Sequence, residues 1–216
     1  MTEEYKHKIL FIDEDKAQLR RFSRYVSNYP SFDLLAIDPP PEPQDVVSLL
    51  DEEKIDAVIC DFDLREKQDV DYYGDEVIDE ILKYRPHFPV FIFTSHEGDA
   101  LARTSSVHYI YDKNLMGNNQ NNFIFLDRVK QEIKNYSKLI DNLKEEFFFL
   151  KEKLRGKPLS IKEQERLIEL DGFIERIAGG VGQSIPQHIK EDQNNKLNIL
   201  ISSTQKILAA IKSQNK

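Results

Sequence analysis

The sequence predicts an α/β fold, a doubly wound five-stranded parallel sheet, followed by an all-α helical bundle or coiled-coil region. Three observations carry this. In the first half, short apolar runs alternate with stretches of helical periodicity. The runs are apolar without alternation, as strands buried on both faces must be, and strand–helix alternation folds into a parallel sheet covered on both sides by helices. From Leu126 onward the period changes to an unbroken three-four spacing, the signature of helices packing on helices. Charge changes sign at the same place: residues 1–120 hold 13 Lys and Arg against 25 Asp and Glu, a net −12, and residues 121–216 hold 17 against 13, a net +4.

Residues 8–13 (KILFID) are the first strand, a short apolar run ending on acid. Asp15 has the character of an N-cap, and Leu19, Phe22 and Val26 follow at helical spacing. Residues 32–37 (FDLLAI) are the second strand. The prolines at 39, 40, 41 and 43 force an extended loop, since each fixes its own backbone and restricts the residue before it. A helix follows over 45–53. The third strand, 57–60 (AVIC), again ends on acid, at Asp61. A helix over 74–84 places Val77, Ile78, Ile81 and Leu82 on one side. Residues 89–93 (PVFIF) are the fourth strand, closed by Thr94 and Ser95, and 108–111 (HYIY) are the fifth, closed by Asp112 and Lys113.

The second half opens with an Asn-rich polar loop. Leu126, Val129, Ile133, Tyr136, Ile140, Leu143, Phe147, Leu150 and Leu154 then form one heptad seam, stopped by Gly156 and Pro158. Ser160 and Glu163 have the spacing of a capping box and open a second helix with Leu167, Leu170, Ile174 and Ile177 on its seam. Gly179, Gly180 and Gly182 interrupt the chain, and a third helix is expected over about 186–212. The run Phe147, Phe148, Phe149, Leu150 is apolar on more than one face and is expected to be buried against the later helices. An intrachain bundle and a homodimer through the seam are both compatible with this pattern.

Composition limits the function classes. The acidic half is poorly suited to a phosphate backbone, and the alternating charges of the second half form a solvated helical surface. Cys60 is the single cysteine, so no intrachain disulfide forms; its place in an apolar run is that of a small buried hydrophobe. No signal peptide is expected, and no apolar run approaches the roughly 20 residues of a membrane span. A soluble cytoplasmic protein without a membrane partner is the expectation.

In a parallel sheet the loops beyond the carboxyl ends of the strands converge on one crevice. Here those ends carry Asp13, Glu14 and Asp15, then Asp61, then Thr94, then Lys113. Clustered carboxylates need a counter-charge to stay ionised together. A hard divalent cation such as Mg²⁺ supplies it through oxygen ligands, with Glu14 and Asp61 as direct ligands and Asp13 acting through water. A metal beside a carboxylate also prepares it to attack phosphorus, by neutralising charge on the phosphoryl oxygens. Lys113 would pair with one phosphoryl oxygen as a point charge, and the Thr94 hydroxyl would donate to another.

With these motifs in place, residues 6–136 resemble the receiver domain of bacterial two-component response regulators. The resemblance is carried by the acidic pair Asp13 and Glu14, Asp61 in DAVICDFDL, Thr94 in PVFIFTS and Lys113 in YIYDK. It implies a flavodoxin-like sheet in the order 2-1-3-4-5 and Mg²⁺ dependence. It also implies phosphoryl transfer to Asp61 from a histidine kinase or phosphotransfer protein, and slow self-catalysed dephosphorylation at most. In that family the residue two beyond the acceptor gives a backbone carbonyl to the metal, which here is Asp63. The pattern departs from the family at Asn114, where proline is usual, and at Ile110, where an aromatic switch residue is usual and Tyr109 and Tyr111 flank it. The loop after Asp61 (FDLREKQDVDYYG) is long and acidic. His96, two residues past Thr94, and His188 are read as surface histidines.

The resulting division is a receiver core over 1–121, an extended fifth helix over 122–155 leading into an output, and a helical C-terminal region over 156–216. LSIKEQERLIEL superficially resembles the opening of a helix-turn-helix, but AGGVGQSIPQH follows instead of a recognition helix, so DNA binding is not expected. The expected function is a phosphoryl-accepting response regulator. It would signal through contacts of the helical region with a downstream protein, or act as a phosphoryl shuttle or sink. A non-phosphorylated receiver-like scaffold and a transcription regulator with a different DNA-binding module are the alternatives.

Overall fold

The structure is a computed structural model of the 216-residue chain and describes residues 6–66, 70–95, 110–116 and 123–177. Five strands, β1 (His7–Ile12), β2 (Phe32–Ile37), β3 (Ala57–Cys60), β4 (Val90–Thr94) and β5 (Ile110–Asp112), form one parallel sheet in the order β2-β1-β3-β4-β5. The described helices are α1 (Lys16–Ser27), α2 (Asp45–Glu52), α3 (Gly74–Tyr84), α4 (Ile124–Gly156) and α5 (Ile161–Ile177), with a 3₁₀ turn over Lys113–Met116. The expected elements that fall on described residues are present, with bounds shifted by a residue or two. Of the expected fifth strand, Ile110–Asp112 is described, and positions 108 and 109 lie outside the described residues.

Alternation within each strand splits the core in two. Leu10, Ile12, Val58, Cys60, Val90 and Ile92 face one side, where Val46 and Leu50 of α2 and Val77, Ile78 and Ile81 of α3 cover them. Ile9, Phe11, Ala57, Ile59, Phe91 and Phe93 face the other, under Phe22 and Val26 of α1 and Phe125, Leu126, Val129 and Ile133 of α4. This two-sided burial is why β3, Ile9–Ile12 of β1 and Val90–Phe93 of β4 carry no polar positions. Asp15 caps α1, accepting from Ala17 N at 3.0 Å. α2 ends with Lys54 in the left-handed region (φ 53°) and Ile55 N donating to Leu50 O at 3.0 Å. That closure turns the chain directly into β3.

The chain divides into two compact units, Met1–Leu139 and Ile140–Lys216, and the boundary falls inside α4. In the second unit Phe147, Leu150, Leu159, Leu167 and Leu170 form a small core, with Leu143, Leu154, Ile168 and Ile174 packed around it. The Ser160–Glu163 capping box is formed: Ser160 N donates to Glu163 Oε2 at 2.9 Å and Glu163 N to Ser160 Oγ at 3.4 Å. Arg166 forks Glu146 across the two helices, at 2.8 and 2.7 Å. The phenylalanine run departs from expectation. Phe147 is buried, but Phe148 and Phe149 are 48% and 66% exposed, because successive helical residues point about 100° apart and this core takes one stripe. The expected third helix over 186–212 lies outside the described residues, as do His96 and His188. Among the described residues no helix is long and apolar enough to cross a membrane.

Candidate functional site

The register of the sheet assembles the site. Ile12 is the neighbour of Cys60, and Cys60 of Ile92. Asp13 and Asp61 therefore leave adjacent strands at the same level, and Thr94 closes β4 just beyond. Thr94 is in turn level with Asp112, which brings Lys113 to the same edge. Asp61 N donates to Ile12 O at 2.9 Å, so the acceptor position is an extension of the ladder.

All five side chains are buried: Asp13, Glu14, Asp61, Thr94 and Lys113. The Lys113 ammonium lies 2.8 Å from Asp13 Oδ2 and 2.8 Å from Asp61 Oδ1. One oxygen each of Asp13, Glu14 and Asp61 falls within 4.8 Å of the other two. Asp13 Oδ1 also accepts from Asp15 N at 2.8 Å, which fixes the turn into α1.

Electrostatics follow from this burial. Desolvation pushes the Asp13 carboxyl up to about 6, against the opposing pull of Lys113. Desolvation and the neighbouring Asp13 push Glu14 up to about 7. Burial pulls the Lys113 ammonium down, yet Asp61 and Asp13 together outweigh it and raise its pKa. The Cys60 thiol is pushed well above its ordinary value, by burial first and then by Asp61 and Asp13, so it is an inert packing group. The donor set is hard oxygen from three clustered carboxylates that gain from a cation. That chemistry fits Mg²⁺.

Asp63, two residues beyond Asp61, has its side chain engaged by Arg65, whose Nε and Nη2 donate to its two oxygens at 2.9 and 3.0 Å. Asn114 has a local explanation. Its backbone N donates to Asp112 Oδ1 at 2.6 Å and its Nδ2 to Oδ2 at 3.1 Å, a bond that proline would forfeit. Ile110 packs with the α3-side core. Tyr111 lies on the other face, its ring 6.0 Å from Phe91 and 5.1 Å from Phe125. The Tyr111 ring is thus turned toward α4.

Sequence reasoning missed Gly74. A Cβ on this residue would lie 1.9 Å from Asp61 O and 3.0 Å from Cys60 Sγ. The start of α3 therefore abuts the acceptor backbone, and only glycine fits. The signal was a glycine inside the first turn of a predicted helix, where it lowers helix propensity.

The fold is receiver-like. Strand order, two-sided helix covering and the Asp13, Asp61, Thr94 and Lys113 strand ends decide it. No protein-family model and no curated protein matches the chain. Solved structures do. The anti-anti-sigma factor PhyR from Bartonella quintana is similar at 10% identity and TM-score 0.45, over 65% of this chain and 52% of that one. This chain thus spans about half of PhyR. The BeF3-activated DrrB receiver domain is similar at 23% identity and TM-score 0.42, over 60% of this chain and 98% of that one. The RcsB response regulator of Salmonella typhimurium is similar at 11% identity and TM-score 0.45, over 76% and 67%. The receiver-like unit is followed by an additional helical region.

Proposed function

We propose that this chain is a phosphoryl-accepting signalling protein of a two-component phosphorelay, phosphorylated on Asp61 with Mg²⁺. The observation that carries the proposal is the Lys113 ammonium held 2.8 Å from both Asp13 and Asp61 beside a third buried carboxylate, Glu14. Structural acids at strand ends are common helix caps, as Asp15 is here. A buried cluster with one shared cation has no such use, and burying it costs stability.

Asp13, Glu14 and Asp61 would hold the cation, with the Asp63 carbonyl as a further oxygen. When bound, it neutralises charge on the phosphoryl oxygens during transfer. Asp61 supplies the nucleophile: a carboxylate oxygen attacks phosphorus, the bond to the donor nitrogen of a phosphohistidine breaks, and an acyl phosphate remains. Lys113 gives up its contact with Asp61 and pairs with a phosphoryl oxygen. The buried Thr94 hydroxyl donates to another. The donor is a histidine kinase or phosphotransfer protein in the cytoplasm, and the chain itself does no more than lose the phosphoryl group slowly to water.

Output is assigned to the helical region. α4 begins against the receiver core at Phe125 and Leu126 and carries its seam on to Phe147 and Leu150. A downstream protein, or a second copy, is the expected partner. A shuttle or sink role needs the same Asp61 chemistry without that contact. The complete strand-end set disfavours a non-phosphorylated scaffold, and DNA binding remains the third alternative.

The test is incubation of the full chain with acetyl phosphate and Mg²⁺, read by intact mass. A phosphoryl adduct that Asp61→Asn abolishes is expected. No adduct from acetyl phosphate or from any histidine kinase would overturn the assignment.

A further inference from the structure

The loop that leaves Asp61 is clamped by a cation that phosphoryl transfer does not use. Arg65 donates three times to Asp63: from Nε at 2.9 Å, from Nη2 at 3.0 Å and from its backbone N at 3.2 Å. Its guanidinium also lies over the Tyr73 ring, with Cζ 3.5 Å from the centroid. Tyr73 packs on Phe62 with ring centroids 5.2 Å apart, and its backbone N donates to Glu76 Oε1 at 3.1 Å. Phe62 O accepts from Gly74 N at 2.9 Å. These contacts close a circuit from Phe62 through Asp63, Arg65 and Tyr73 to Gly74 and back. The backbone between Phe62 and Arg65 is held to the first turn of α3 from both sides.

We infer that Arg65 is a positioning residue for the divalent cation. It occupies both oxygens of the Asp63 carboxylate and pins the 62–65 loop on Tyr73, so that the Asp63 backbone is presented to the metal in one arrangement. The inference rests on the Mg²⁺ reading of the Asp13, Glu14 and Asp61 cluster. Partners that orient metal ligands without touching the metal are typically worth about 10- to 100-fold in affinity. Lysine keeps the charge but cannot both fork a carboxylate and stack on a ring. The arrangement, rather than the charge alone, is what Arg65 supplies.

Mg²⁺ binding to the full chain, measured by titration calorimetry without any phosphodonor, tests this. Arg65→Ala is expected to weaken binding about tenfold, and Arg65→Lys nearly as much. Tyr73→Ala should weaken it similarly, Tyr73→Phe should not, and the Arg65→Ala/Tyr73→Ala pair should fall well short of the sum of the single effects, because both act through one clamp. Unfolding midpoints in EDTA should stay close to wild type for Arg65→Ala, since its side chain is partly exposed. If Arg65→Ala binds Mg²⁺ within twofold of wild type, or Arg65→Lys restores wild-type affinity, the positioning role is overturned and the metal site stands. If the wild-type chain binds no Mg²⁺, the metal reading falls and this inference falls with it.

Discussion

Lys113 offsets two carboxylates at once, and its loss leaves both in a buried site. Breaking a buried ion pair typically costs about 3–5 kcal/mol. Lys113→Ala should therefore lower stability by about 3 kcal/mol in urea denaturation at pH 8. The deficit should shrink toward pH 5 as Asp13 and Glu14 take up protons. The raised pKa values of these two acids set a second expectation. Asp13 rises from 3.8 to about 6 and Glu14 from 4.5 to about 7, chiefly through burial. The folded state thus binds protons more tightly than the unfolded chain. Their contribution to stability is fully present below the unfolded values and is lost as pH rises through about 6 and about 7. Without divalent cations the urea midpoint should fall between pH 5 and pH 8, and Asp13→Asn should flatten that fall. Mg²⁺ affinity should move the opposite way, because the metal takes the deprotonated acids. Equal midpoints at pH 5 and 8 in wild type would contradict this. At this scale Asp61, Thr94 and Lys113 were legible from their places after apolar runs. Gly74 and Arg65 were not, because a steric limit and a guanidinium forking a carboxylate two residues back have no signature in composition.

The elements position these residues, and α3 does so by contact. Its first residue has no room for a side chain against Asp61 O. Forcing atoms into packed space costs about 1–3 kcal/mol. Gly74→Ala should therefore destabilise the first unit by that amount. It should also impair Asp61 phosphorylation beyond what the stability loss explains, measured as the phosphorylation rate with acetyl phosphate well below the melting temperature. α4 gives the contrasting case. Phe147 is buried while Phe148 and Phe149 are exposed. Phe147→Ala should cost about 3–5 kcal/mol, and Phe149→Ser should stay within about 0.5 kcal/mol, both read by thermal unfolding. Heptad spacing picked out Phe147 in advance. It could not say that the neighbouring rings stay exposed, because that depends on what packs beside the seam rather than on the seam.

On the scale of the whole chain, two compact units share one long helix. A ligand that binds only the folded state stabilises it by mass action, about 2.7 kcal/mol at 100 times its Kd. Mg²⁺ should raise the melting transition of the Met1–Leu139 unit and EDTA should reverse it. The transition of the Ile140–Lys216 unit should not move, which differential scanning calorimetry with and without Mg²⁺ can resolve. A uniform shift of both transitions would mean that the units unfold as one.

The sequence by itself determined the alternation of strand and helix, the change of period at Leu126, and which acid, hydroxyl or lysine closes each strand. These follow from local periodicity, which any window of ten residues carries. Only the tertiary structure decided that one ammonium reaches both Asp13 and Asp61, that α3 begins against the acceptor backbone, and that Tyr111 turns toward α4. Asp13 and Lys113 stand 100 positions apart. Their meeting depends on β1, β3, β4 and β5 lying side by side in register, and that register is set by two buried faces packing at once.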